Sequence, residues 1–178
     1  MNLFFRLLLL MLRLRRRRDL DIWSTAITPF RVNPLDLDVL GHMNNSRYLA
    51  ILDLGRMDLM IRAGAWDEFS ARGWTPVVAG QSISYRRSLR LGQRFELHTH
   101  VLGIDDRWVY LEQTFRRRGQ LIATAIVRGR FLRREGGTVE THELIAVMGE
   151  PPADREVPDL VRDWTAHSTE DLARKKNV

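Results

Sequence analysis

Between residues 45 and 63 the sequence carries a helix-forming run whose apolar residues occupy nearly the whole circumference. At about 100° per residue, Tyr48, Leu49, Leu52, Leu54, Met57, Leu59, Met60 and Ile61 leave one narrow polar sector, holding Arg47, Asp58 and Arg62. A helix of that kind cannot rest on a surface; other structure has to wrap it. The pattern predicts a central helix that stops near Gly64, with Asp58 and Arg62 forming an exposed (i, i+4) pair.

The rest of the chain supplies the wrapping. A first strand is expected over residues 23–32 and a short second helix over 66–72. Four strand-like runs follow at 76–89, 93–104, 107–117 and 120–134, rich in Val, Ile, Thr, Phe and Tyr. Leu91-Gly92, Asp105-Asp106 and Arg118-Gly119 separate the runs as turns. Phe95, Leu97, Thr99 and Val101 alternate with Glu96, His98 and His100, the pattern of a sheet with one buried face. One strand, a long helix and four consecutive strands describe an α+β layer, a five-stranded antiparallel sheet curled around the helix.

Charge is unevenly placed. The net charge of +6 belongs to residues 1–18, where six arginines (Arg6, Arg13 and Arg15 to Arg18) meet no acid. Of 28 lysines and arginines, the 22 that remain are balanced by 22 acids, so the excess is a property of a leader and not of a nucleic-acid-binding face. As a helix, the apolar residues 3–14 span roughly 18 Å, too short to cross the hydrocarbon core. The arginines follow the apolar run, and no small-residue cleavage site follows them, which fits a secretory signal poorly. Residues 1–18 therefore read as an interfacial anchor on an anionic leaflet, placing the protein in the cytoplasm at the membrane periphery. The competing reading is a helix packed on the domain or on a second subunit. As an anchor the leader is expected to be dispensable for folding and activity.

The domain proper is expected over residues 19–148, and residues 149–178 read as a peripheral tail with helical pieces at 158–166 and from Ser168 onward. The absence of cysteine removes disulfides, thiolate metal sites and a cysteine nucleophile together. His98 and His100 share a strand face, but two histidines without a third ligand do not make a metal site, and none is expected. Gly80-Gln81-Ser82-Ile83-Ser84 lacks the final glycine of a nucleophile elbow, which argues against a serine hydrolase.

The chemistry concentrates in Asp36-Leu37-Asp38-Val39-Leu40-Gly41-His42-Met43-Asn44-Asn45-Ser46-Arg47-Tyr48-Leu49, where a polar turn joins the central helix. Two acids, a histidine and two asparagines fall within ten residues, and asparagine is favoured as a helix N-cap. A helix start offers unpaired N–H donors and the positive end of a dipole, so a carboxylate beside it can act on whatever oxyanion those donors hold. Asp53 breaks the apolar sector further along: either it pairs with Arg56 or it is a second acid facing the site.

This fourteen-residue run resembles the signature of the hotdog-fold thioesterases, specifically the 4-hydroxybenzoyl-CoA thioesterase-like branch that includes the plant acyl-ACP thioesterases. The resemblance continues more loosely through Arg134, including Gln81 to Arg87. It implies a hotdog fold and hydrolysis of a fatty-acyl or aryl-CoA thioester without cofactor or metal, acyl carrier protein being the less favoured carrier. It also implies a homodimer, consistent with the open edges of such a sheet. The family's acid falls on Asp38, as nucleophile or general base; its histidine falls on His42, which would orient the acyl carbonyl or water. The backbone N–H at Asn45 would polarise the thioester oxygen. Arg86, Arg87 and Arg90 after a strand and Arg116, Arg117 and Arg118 before a turn are candidates for the phosphates of coenzyme A, and alternation puts Arg87, not Arg86, on the face of Ile83 and Tyr85; Tyr48, Arg87 and Arg90 are the substrate-binding candidates. Leu40 stands where the plant enzymes carry asparagine, which favours the alternative of a membrane-associated hotdog protein that binds acyl thioesters without turnover.

Overall fold

A computed structural model describes Arg6, residues 20–153 and residues 155–176, with side chains through Glu170. Its first strand, β1, covers Ala26–Arg31, and the long helix α1 covers Asn45–Arg62. Helix α2 (Ala65–Ala71) follows, and the strands are β2 (Trp74–Tyr85), β3 (Arg94–Ile104), β4 (Val109–Arg117) and β5 (Gln120–Arg133). Two further helices close the chain, α3 (Thr141–Met148) and α4 (Asp159–Lys176). The five strands form one antiparallel sheet in the order β1-β3-β4-β5-β2, so β1 and β2 are its edges. Pro76 is tolerated in β2 because an outer strand can do without one ladder donor.

Helix α1 lies on the concave face, and one position shows how closely. A Cβ placed on Gly55 would come within 2.4 Å of Leu97 and 2.7 Å of Thr99 Oγ1, so only glycine lets the helix backbone sit against β3. Gln113 of β4, wholly buried there, donates to Leu52 O at 3.0 Å and to Thr99 Oγ1 at 2.9 Å, and its Oε1 accepts from Arg56 at 2.7 Å. Every polar group Gln113 brings into the interior is thereby paired.

Three differences from the sequence reading have physical causes. Asp58 is not on a wet sector: it is 1% exposed, accepts a hydrogen bond from Thr28 of β1, and has Arg62 at 3.8 Å. Periodicity places a residue on the helix circumference but does not say that a strand with a hydroxyl will cover that sector. Conversely, Leu49, Met57, Met60 and Ile61 are only half-buried, so within one chain the sheet covers a single side of the helix. The segment after Gly149 is not peripheral. Its helix α4 is continuous through the expected break at residue 167 and covers part of the sheet's outer face. There Val157, Val161 and Trp164 pack with Trp108 and Tyr110. Arg128 sits between Trp108 and Trp164, 5.2 Å from each ring, and donates to Thr165 O at 2.9 Å. Aromatic faces compensate a buried guanidinium there, and burial pulls its pKa down.

The leader expectation falls mostly outside the described residues. Arg6 is the exception: it is buried, ion-paired with Asp36, and its Nη2 reaches Arg31 O at 3.4 Å. No described helix is long and apolar enough to cross a membrane.

Candidate active site

The turn before α1 is built around Asp38. Its Oδ1 accepts the backbone N–H of Leu40 at 2.9 Å and of His42 at 3.1 Å, and its own N–H donates to His42 O at 2.8 Å. Those bonds close the loop through Gly41, whose φ of +74° is open to glycine at no steric cost. Among the described residues Oδ2 makes no hydrogen bond. Asn44 caps α1, its side chain accepting from Ser46 N at 2.9 Å, while its N–H donates to Asp36 O at 2.8 Å. The cap leaves the N–H of Asn45, the first helical residue, without an acceptor among the described residues.

Asp38, His42, Asn45 and Tyr48 line one pocket of about 260 Å³, together with Met43 and, from the end of β2 and beyond, Tyr85, Arg86, Arg87 and Ser88. Five of the seven residues singled out from sequence therefore meet there. Arg90 lines the adjoining recess of about 350 Å³, which shares His42, Arg87 and Ser88 with the first and adds Arg117. His42 thus stands between the two, and its backbone bridges to Arg90. No carboxylate lines the recess, and three guanidinium groups do, a lining suited to phosphate.

Tyr48 contributes a buried wall. Its ring meets Tyr85 and Phe115 edge-on, each at 5.0 Å between centroids, and burial pushes its hydroxyl pKa up against the opposing effect of a hydrogen bond with the Leu89 backbone. Tyr85 and Ser88 were not singled out from sequence, and Arg86 was a phosphate candidate set aside in favour of Arg87. Alternation through Ile83 and Tyr85 pointed to Arg87 alone, but β2 ends at Tyr85 and the N–H groups of both Arg86 and Arg87 turn onto Ile122 O. The broken alternation lets consecutive arginines face one pocket.

Asp53 does not join this group. It is 58% exposed and paired with Arg56, at the rim of a separate apolar cavity of about 180 Å³ that shares no residue with the Asp38 pocket. Met57, Met60, Val77 and Phe131 are among the residues lining that cavity. The ion-pair reading of Asp53 is therefore the one the geometry realises. Asp53→Asn removes the counter-charge of an Arg56 that is itself only 11% exposed but keeps Gln113 Oε1 as acceptor, so it should lower the melting temperature modestly and leave turnover per folded molecule unchanged. Thermal melts and rate assays on one preparation check both; a large fall in rate would return Asp53 to the site.

Leu40 is 77% exposed and absent from the pocket lining, so a polar side chain at that position would face solvent here.

A long helix against a five-stranded antiparallel sheet, with a carboxylate beside the helix N-terminus, defines a hotdog fold of the thioesterase kind. The chain belongs to the thioesterase-like superfamily, whose family model matches residues 32–165. Among curated relatives, Protein THEM6 of Xenopus laevis is 48% identical over 84 residues, 47% of this chain and 41% of that protein. The long-chain acyl-CoA thioesterase FadM of Escherichia coli K12 is 28% identical over 102 residues, 56% of this chain and 77% of that enzyme. The match thus spans less than half the length of the THEM6 relative. A probable thioesterase of Escherichia coli, YbaW, superposes with a TM-score of 0.65 at 24% identity, over 68% of this chain and 95% of that one, a likeness of fold.

Proposed function

We propose that this protein hydrolyses acyl-CoA thioesters, with Asp38 as the catalytic carboxylate. The observation that carries the reading is the meeting, in one pocket, of a carboxylate whose second oxygen, and a helix N-terminus whose first N–H, have no partner among the described residues. Asp38 Oδ2 either attacks the thioester carbon, giving an anhydride and releasing the thiolate, or takes a proton from the water that attacks it. The Asn45 N–H receives the developing oxyanion, helped by the dipole of α1. His42 orients the acyl carbonyl or the water, and Arg87, Arg90 and Arg117 hold phosphates of coenzyme A in the recess. Release of free CoA across a panel of aryl- and alkyl-CoA thioesters tests this directly. Tight binding without turnover of any of them would establish the binding-protein alternative instead. The exposed side chain of Leu40 gives that alternative no support at the pocket.

The reading extends to a homodimer. Strand β2 is a sheet edge with Val78 and Tyr85 exposed, and the half-buried Met57 and Met60 leave apolar helix surface nearby. Antiparallel pairing of two β2 edges about a twofold axis brings the start of one strand beside the end of the other. Pro76 to Val78, which line the apolar cavity, would then adjoin the other copy's Tyr85 and its Asp38 pocket. The acyl chain cut at one Asp38 would rest in the cavity of the second copy. Mixing Asp38→Asn with a cavity-filling Val77→Trp should then restore activity that neither variant has alone, since each mixed dimer keeps one complete site. No recovery after subunit exchange would confine cavity and carboxylate to the same chain.

A further inference from the structure

The outer face of the sheet carries a second, larger groove of about 580 Å³, at the end of β1, β3 and β4 and separate from the Asp38 pocket. Arg31, Arg94, Arg116 and Arg118 line it, with Phe30 and Phe95 at its edge and Glu96 its sole acid. Cross-strand register explains the clustering. Arg31 is paired with Arg94 and Glu96 with Arg116, which sets all four on one face. Arg117, between Arg116 and Arg118, belongs to the recess beside His42 instead.

Like charges directly opposite each other in a sheet oppose folding, so the Arg31 and Arg94 pairing asks for an external anion. The one carboxylate lining the groove, Glu96, lies opposite Arg116 and serves four guanidinium groups. Arg31 Nε donates only to Gly92 O at 3.0 Å, Arg116 only to Gly119 O at 3.3 Å, and Glu96 lies 3.3 Å from His98 Nε2. Around the same end, Leu35 and Leu91 are 65% and 56% exposed, and Leu91 adjoins the Gly92 that Arg31 holds. Arg6, one of the six arginines of residues 1–18, also reaches this end, its guanidinium donating to the carbonyl of Arg31 itself. Four arginines with one acid beside protruding leucines match an anionic bilayer better than a soluble phosphate, which offers nothing to the leucines.

We propose that this groove is a docking surface for anionic phospholipid headgroups, which seats the folded domain on the leaflet that the leader engages. It takes its orientation from the anchor reading of residues 1–18 and adds a site on the domain. The probe is phosphatidylcholine vesicles with and without phosphatidylserine, and the protein is the full chain. Arg94→Glu with Arg118→Glu should weaken partition onto the anionic vesicles by at least about 25-fold at low salt, taking about fivefold per basic residue. The same variant should leave partition onto phosphatidylcholine alone, and KM for a soluble acyl-CoA, unchanged. A second variant, Arg15 to Arg18 all replaced by Ser, keeps Arg6 and tests the leader separately. Loss of binding in the leader variant with wild-type binding in the groove variant would overturn the groove while keeping the anchor. Wild-type binding in both would remove both. A raised KM with intact vesicle binding would assign the groove to coenzyme A phosphates and overturn the proposal too.

Discussion

Asp38→Asn should reduce turnover of an acyl-CoA by about 10²-fold or more while the protein stays folded. The amide keeps an oxygen in the place of Oδ1, so the N–H groups of Leu40 and His42 retain their acceptor and the turn persists. What is lost is the negative charge and the second carboxylate oxygen in the pocket that Asn45 also lines. An amide neither attacks a thioester nor deprotonates water at neutral pH. The effect should therefore fall on kcat and not on KM, because the arginines of the recess are untouched. Thermal denaturation alongside the kinetics separates a chemical loss from a folding loss. A variant with near-normal kcat would remove Asp38 from the mechanism.

Arg6→Ala should destabilise the protein by about 3–5 kcal/mol, the cost of leaving a buried charge without its partner. Asp36 is 2% exposed, and once Arg6 is gone its carboxylate retains the Asn33 N–H at 2.8 Å but no cation. At roughly 2–4 °C per kcal/mol for a domain of this size, the melting temperature should drop by about 6–20 °C. Asp36→Asn added to Arg6→Ala should recover part of that loss, since it removes the stranded charge and keeps an acceptor for Asn33. A melting temperature for Arg6→Ala within about 2 °C of the parent would show the pair to be inconsequential. The consequence reaches the Asp38 turn, because Asp36 O accepts the N–H of Asn44, the cap of α1. Deleting residues 1–18 should for the same reason cost stability, against the expectation from sequence that the leader is dispensable.

The buried Arg6 marks where local pattern stops. The hotdog architecture and the cluster of Asp38, His42, Asn45 and Tyr48 were legible because their information is local. An N-cap, a glycine turn and an apolar period of 3.6 or 2 act over a few residues, and the Asp38 turn and helix start are contiguous in the chain. Strand boundaries came within a few residues for β3, β4 and β5, whose alternation is set by one buried face. Arg87 entered the pocket as alternation suggested, but Arg86 joined it because β2 ends where it does, and that end depends on Ile122 of another strand.

What the sequence left open turns on how segments pack, in two cases through partners far apart in the chain. Asp58 looked solvated until Thr28, 30 residues away, covered it. Asp53 was ambiguous between Arg56 and the site because helix spacing alone does not say which face meets which cavity. Arg6 looked like one more basic leader residue and instead neutralises a buried acid, again 30 residues distant. Composition and periodicity determine what each segment can become, since they reflect propensities within one turn or one strand. Which charges are buried, and against what, is decided only when non-local segments pack, because the penalty for a buried charge depends on the exact atoms that close over it.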